Sequence, residues 1–267
     1  MNYGSIETRS EPPIGRIILS RSERRNALSL AAIEEITRGL EDLAATPGIQ
    51  AIVVEGRGSA FSAGHDIAEM LEREPAFYQE LFALCTVMMQ TIHRVPQPVI
   101  AKVQGVATAA GCQLVASCDL VVAAEGSTFA TPGVRIGLFC TTPMVPISRA
   151  VGQKRAMEML LTGEPISVET AREWGLVNRI APSGQLDAAV QQLVGQITRG
   201  SPKVIGVGKD AFYRQVGLTE DAAYELTEPI MAGNAAGADA QEGFAAFLEK
   251  RTPVWSNDAV TRRRAVT

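Results

Sequence analysis

Apolar residues follow two patterns along this chain, and the patterns alternate. Short unbroken runs predict buried strands at 16–19, 51–54, 99–103 and 120–124. Between them, spaced apolar positions predict helices. Ile33, Ile36, Leu40 and Leu43 share one face of a helix over about 29–45, capped by Ser29 and ended by Pro47-Gly48. Phe77, Leu81, Leu84, Val87, Met88 and Ile92 keep a 3.6-residue period over 77–94, stopped by Pro96 and Pro98. Gly105 and a turn of small residues precede a shorter helix near 112–117. From Ser167 onward the pattern is almost wholly helical. Ser167 reads as an N-cap and Gly175 as a C-cap, and 202–250 as two or three alanine-rich amphipathic helices. Strand–loop–helix units in this order predict an α/β core with parallel crossover connections. A soft boundary near Gly200 divides a core (1–200) from a helical segment (201–267).

Composition narrows the classes of function. With 267 residues, 46% of them hydrophobic, the chain can bury one large core and is not disordered. Twenty-five basic side chains against 29 acidic ones give a net charge of −4, which argues against nucleic acid or a membrane surface as partner. No apolar run reaches the roughly 18 residues of a membrane helix. The first residues carry Glu7 and Glu11 and lack the apolar stretch of a secretory signal, so a cytoplasmic location is expected. Cys85, Cys112, Cys118 and Cys140 form no CxxC pair and read as buried thiols of a reducing compartment. His65 and His93 have no ligand-like spacing, and no metal is expected.

The candidate chemistry sits in loops. Gly56-x-Gly58 follows a strand, but Phe61 stands where a dinucleotide fingerprint needs a third glycine. Segments 61–66 and 105–112 each place small residues just before a helix start, where backbone N–H groups lack internal partners. Facing one another they could hold one oxygen between two donors, an oxyanion hole; ordinary tight turns explain the same spacing. Asp66 with Glu69 three residues on reads as a capping box. Adjacent His65 and Asp66 do not make a triad, and no GxSxG elbow accompanies them. The Met88-Met89 pair reads as core, and Cys140 as a buried thiol, with Cys140, Thr141 and Thr142 as long-shot reactive groups.

The strings SRSERRNALS, AFSAGHDIAEM, PVIAKVQGVATAAGCQLVASCDLVVA, FATPGVRIGLF, AMEMLLTGEPISVETAREWGLVNRI and QEGFAAFLEKRTPVW, in this order over 16–255, resemble the crotonase (enoyl-CoA hydratase/isomerase) superfamily. The resemblance implies a spiral of ββα turns with a helical C-terminal segment used in homotrimers and hexamers. It implies an acyl-CoA ligand of fatty acid metabolism and no cofactor beyond the coenzyme A of that ligand. The thioester carbonyl would lie between the N–H groups of His65 and Ala110. Coenzyme A contacts would fall on Arg24, Ala27, Ala63, Gly64 and Gly111, with Asp66 on the adenine side and Lys250 reaching a neighbouring subunit's ligand. Family hydratases activate water with two glutamates, and the resemblance places Gln113 and Gly133 at those positions. An amide is neither a useful base nor a useful acid near neutral pH, and glycine has no side chain. Gln113 remains able to orient a water or a polar acyl group. The implied function is an acyl-CoA-binding family member that polarises a thioester carbonyl. Its reaction stays open between altered hydration and another thioester-enolate step such as isomerisation, hydrolysis or C–C cleavage. The alternative is a non-catalytic acyl-CoA binder or assembly protein.

Overall fold

In the computed structural model, which describes residues 3–256, the strands form two sheets that the chain visits alternately from β3 to β8. β1 (Ile6–Glu11) pairs antiparallel with β2 (Ile14–Leu19), and α1 (Leu30–Ala45) follows. The chain then runs β3 (Ala51–Gly56), β4 (Ala60–Ser62), α2 (Ile67–Met70) and α3 (Pro75–Arg94). The next turn is β5 (Val99–Val103), β6 (Val106–Thr108) and α4 (Ala110–Ser117), and the one after begins with β7 (Leu120–Ala124) and β8 (Thr128–Ala130). Beyond these lie α5 (Met144–Val151), α6 (Gln153–Thr162), β9 (Ile166–Ser167), α7 (Val168–Trp174), β10 (Arg179–Ala181) and α8 (Leu186–Ile197). The helices α9 (Pro202–Gln215), α10 (Glu220–Ala235) and α11 (Ala238–Leu248) complete the order. The larger sheet runs β1-β2-β3-β5-β7-β10 and the smaller β4-β6-β8-β9, so the pairs β3/β4, β5/β6 and β7/β8 each contribute one strand to each sheet, whereas β1 and β2 both join the larger one. This is the α/β spiral that the resemblance implied.

The larger sheet is buried on both faces, which is why its central strands read as continuous apolar runs. Ile52, Val54, Val99, Ala101, Val103, Val121 and Ala123 join one core with α1, α3 and α4. Ala51, Val53, Ile100, Val122 and Ala124 face the other way, against Leu186, Val190 and Val194 of α8.

Helix limits agree with the sequence where caps are present. The Ser29 hydroxyl accepts from the Ala32 N–H at 3.2 Å, and Ile33, Ile36, Leu40 and Leu43 of α1 are buried. Ser167 caps α7 through the Thr170 N–H at 3.2 Å, and Gly175 closes it at φ +96°. α3 begins two residues before the predicted start because Pro75 suits a first helical position. Its buried face is also rotated: Cys85 and Met89 point inward with Leu81, Met88 and Ile92, while Val87 is exposed. β7 coincides with the strand expected at 120–124, whereas β6 and β8 of the smaller sheet are three residues each and carry no period of their own.

α9 is anchored by a buried ion pair. Lys209 Nζ lies 2.6 Å from Asp119 Oδ2 and donates to the carbonyls of Ile92 and Gln97, and the Tyr213 hydroxyl donates to Asp119 Oδ1 at 2.7 Å. α10 and α11 leave Tyr224, Met231, Phe247 and Leu248 exposed. The C-terminal part of the 201–267 segment, residues 257–267, lies outside the described residues. Among the described residues no helix is long and apolar enough to cross a membrane.

Candidate functional site

The site is assembled on a scaffold that begins in the loop before α1. Arg25 and Asn26 both take positive φ (+50° and +54°), turning the chain back toward β4. The buried Asn26 amide donates to the carbonyls of Ala60 (2.8 Å) and Arg57 (2.9 Å), and the Ser62 hydroxyl donates to the Asn26 carbonyl at 2.9 Å. The Ala63 N–H then donates to Arg25, and Leu28 pairs with the segment after β4. In that pairing the Leu28 N–H donates to Gly64 (2.7 Å) and the Asp66 N–H donates to Leu28 (3.1 Å). A parallel bridge of this kind engages the residues on either side of His65, so the His65 N–H faces away from Leu28.

On that other side lies the second turn. β4 and β6 pair in parallel with Ser62 opposite Ala107, and His65 and Ala110 each fall three residues beyond that pair. Ala110 opens α4, where a first-turn N–H has no intrahelical acceptor. Among the described residues neither the His65 N–H nor the Ala110 N–H donates to a protein group. The two turns touch. A Cβ on Gly64, at φ +92°, would lie 2.9 Å from Ala109 Cβ and 3.2 Å from the Ala110 nitrogen. A Cβ on Gly111 would lie 2.4 Å from the Ser62 carbonyl oxygen. Only glycine permits both approaches. Ala109 itself sits at φ +49°, ψ −119°, a strained conformation for a residue with a side chain, held by its N–H bond to Ala130 at 2.9 Å.

A cavity of about 210 Å³ opens beside these turns, lined by Ala63, His65, Phe82, Ala110, Gly133 and Cys140 among others. Ile67, Met70, Leu138 and Phe139 make much of the wall apolar, while Thr141 and Thr142 supply hydroxyls. Gln113 on α4 is 3% exposed, with its Oε1 at 3.5 Å from the Thr142 hydroxyl. Gly133 is sterically closed: a Cβ there would meet the Leu138 carbonyl oxygen at 2.1 Å and Cys140 Sγ at 2.8 Å. The Leu138 N–H donates to the Gly133 carbonyl at 3.0 Å, fixing that tight loop. Cys140 is 6% exposed, and burial pushes its thiol above the ordinary range; burial also raises Cys112, to about 12. Burial lowers the His65 imidazole below its usual value, and both ring nitrogens are buried without a hydrogen-bond partner.

The other candidate residues are dispersed. Arg24, exposed, and Asp66 line an open groove next to the cavity, together with Arg21, Glu69 and Arg73. The expected capping box does not form. Asp66 makes no cap bond and accepts from Arg21 Nη2 at 2.9 Å, while Glu69 accepts from the Leu30 N–H at 2.9 Å. α2, at four residues, is too short to reward a cap, and a guanidinium and the start of α1 compete for the two carboxylates. Ala27 is half-buried, its carbonyl accepting from Arg21 at 3.2 Å. Lys250 is exposed at the end of α11 and lines neither the cavity nor the groove. Arg21, Asn26 and Phe82 were not identifiable as site-builders from spacing, and no local pattern in the sequence signals them; Thr142, named only as a reactive group, stands instead beside Gln113.

Comparison with known proteins places this arrangement. The sequence pattern of the enoyl-CoA hydratase/isomerase family matches residues 9–258. Over 92% of its length the chain is 44% identical to the human protein "Enoyl-CoA hydratase domain-containing protein 3, mitochondrial", spanning 82% of that protein. The Mus musculus protein of the same name is 43% identical over 94% of this chain and 84% of its own length. A solved enoyl-CoA hydratase structure from Mycobacterium smegmatis superposes with a TM-score of 0.91 at 43% identity, covering 94% of this chain and 99% of that one. The human domain-containing protein 3 structure gives the same TM-score and identity, with 94% and 100% coverage. These relatives correct one expectation: the vertebrate proteins are named as mitochondrial, so the cytoplasmic location does not stand. Charge balance and a missing secretory pattern describe a folded domain and carry no organelle address. On its residues, its fold and these likenesses, the chain belongs to the enoyl-CoA hydratase/isomerase family.

Proposed function

We propose that the chain binds an acyl-CoA thioester, holds its carbonyl oxygen between the N–H groups of His65 and Ala110, and performs thioester-enolate chemistry other than hydration. The observation that carries this reading is the apposition of two unengaged backbone donors, each three residues past the Ser62–Ala107 pair, beside an apolar cavity. Two donors aimed where negative charge develops are the largest single contribution an acyl-transfer or enolate site needs. Backbone donation is indifferent to the side chains of residues 65 and 110, so alanine serves at 110.

Hydration needs an acid and a base for water, and the two positions paired with the family's glutamates do not supply them. Gln113 exchanges no proton near neutral pH, and Gly133 has neither a side chain nor room for one. The exposed Arg24 suits the nucleotide phosphates of coenzyme A. Asp66 reaches the adenine side only if Arg21 shares it. Exposed Tyr224, Met231, Phe247 and Leu248 support a homotrimer or hexamer built through the 201–267 segment, in which Lys250 would approach a neighbour's ligand.

The test is calorimetric titration with butyryl-CoA and crotonoyl-CoA, paired with a mass-spectrometric panel of acyl-CoA turnover. Micromolar binding, with crotonoyl absorbance unchanged and one other thioester consumed, is the expected result. No binding of any thioester would end the proposal. Binding without turnover of any panel member favours the non-catalytic binder, and the rigid closure of Gly133 is the observation on that side.

A further inference from the structure

Resting on that acyl-thioester reading, we infer that the His65 side chain is a specificity-determining group, favouring acyl chains that carry an uncharged oxygen over plain hydrocarbon chains. The backbone of this residue supplies one of the two proposed carbonyl donors, so its side chain branches from the point where the acyl group is held. The ring lines the cavity and packs edge-on to Phe82, with centroids 5.5 Å apart. Its neighbours along that wall, Ile67, Met70, Leu138 and Phe139, offer the ring no hydrogen bond. Both Nδ1 and Nε2 are buried and unpartnered. The Leu28 backbone offsets part of the burial effect on the ring but stands outside hydrogen-bond geometry to either nitrogen.

An imidazole buried in this way carries a desolvation cost that a partner in the adjoining cavity would remove. On this inference the ring turns about its side-chain bonds when a ligand enters, presenting a nitrogen to that cavity. Burial keeps the ring neutral, with one donor and one acceptor. A hydroxyl complements both, and an oxo group complements the donor. A saturated hydrocarbon chain complements neither and leaves the nitrogens as they are. A carboxylate would bring a full charge against a largely apolar wall with no Lys or Arg among the described lining residues, which is the costlier match. The recognised class is therefore a hydroxyacyl or oxoacyl thioester of short chain, sized to a cavity of about 210 Å³.

The test compares affinities of 3-hydroxybutyryl-CoA, acetoacetyl-CoA, butyryl-CoA and malonyl-CoA by calorimetry for the full chain and for His65→Leu, His65→Phe and His65→Gln. The wild type should bind the 3-hydroxy ester about tenfold more tightly than butyryl-CoA, one neutral hydrogen bond plus a relieved orphan. That ratio should fall to about one in His65→Leu and His65→Phe. It should be largely kept by His65→Gln, which retains a donor and an acceptor. A ratio between ligands is unmoved by a general loss of binding, so a merely structural role for His65 would leave it unchanged. Equal wild-type affinities, or an unaltered ratio in both apolar variants, would overturn the inference while leaving acyl-CoA binding intact. Preference for malonyl-CoA would overturn it in favour of a charged group. Failure of every thioester to bind would remove the underlying reading as well.

Discussion

Restoring both glutamates should not create a hydratase, and the reason is steric before it is chemical. At Gly133 the first atom of any side chain would lie 2.1 Å from the Leu138 carbonyl oxygen, well inside van der Waals contact. That oxygen belongs to backbone whose own N–H bonds Gly133 at 3.0 Å, so it cannot retreat without opening the 133–138 loop. Forcing extra volume into a packed site costs about 1–3 kcal/mol, and an immovable backbone neighbour puts this case at the upper end. Gly133→Glu should therefore lose roughly 2–3 kcal/mol and, for a chain of this size, about 4–12 °C in Tm. Gly133→Ala should lose nearly as much, since the Cβ makes the clash. Removing the second obstruction with Cys140→Ala should recover little, because the Leu138 oxygen remains. Gln113→Glu alone should fold, placing a carboxyl beside the Thr142 hydroxyl in a 3% exposed position where desolvation favours its neutral form. The assay is thermal unfolding alongside loss of crotonoyl-CoA absorbance at high protein concentration. A double variant with wild-type Tm that hydrates crotonoyl-CoA would refute the reasoning.

Gly64→Ala should abolish acyl-CoA binding in calorimetry, because its Cβ at φ +92° would push into Ala109 and Ala110, and backbone strain adds about 1–3 kcal/mol of destabilisation. Asn26→Ala leaves the Ala60 and Arg57 carbonyls without their donor; a loss of about 1–3 kcal/mol in denaturant unfolding is expected, with weakened ligand binding as β4 loosens. Arg24→Ala should weaken coenzyme A thioester binding by about 1 kcal/mol, more at low ionic strength than at high, and equal affinities would misplace the phosphate site. Burial lowers the imidazoles of His65 and His93, so between their folded values and 6.5 the unfolded chain binds more protons. Their contribution is complete above 6.5 and is lost as pH falls, and His65→Leu should flatten part of that acid limb in urea titrations; an unchanged limb would contradict it.

The large sheet was legible because its strands are buried on both sides and speak as unbroken runs, Ala51–Gly56 and Val99–Val103 most clearly. α1 and α7 were legible through serine caps whose geometry is local. The small sheet was not. Its strands are three residues or fewer, and their partners lie tens of residues away, as Ser62 and Ala107 show. The two donor turns were visible as small residues before helices, yet their contact depends on a register no local pattern encodes. Asp66 and Glu69 illustrate the opposite failure: a local motif was present, and Arg21 and Leu30, distant in sequence, claimed both carboxylates. Closure at Gly133 was equally hidden, since a missing side chain looks the same whether space is open or filled.

The pairing of β4 with β6 acts as a gauge. Neighbouring strands in a sheet stand about 4.8 Å apart, whatever side chains they carry. The proposed donors, His65 and Ala110, lie three residues past the Ser62–Ala107 pair, so that pairing governs how the two turns carrying them meet. The proposed grip on a carbonyl would thus be set by main-chain pairing, whatever side chains residues 65 and 110 carry. On that proposal, acids and bases on the surrounding loops can be gained or lost while the main-chain pairing that brings the two turns together stays put.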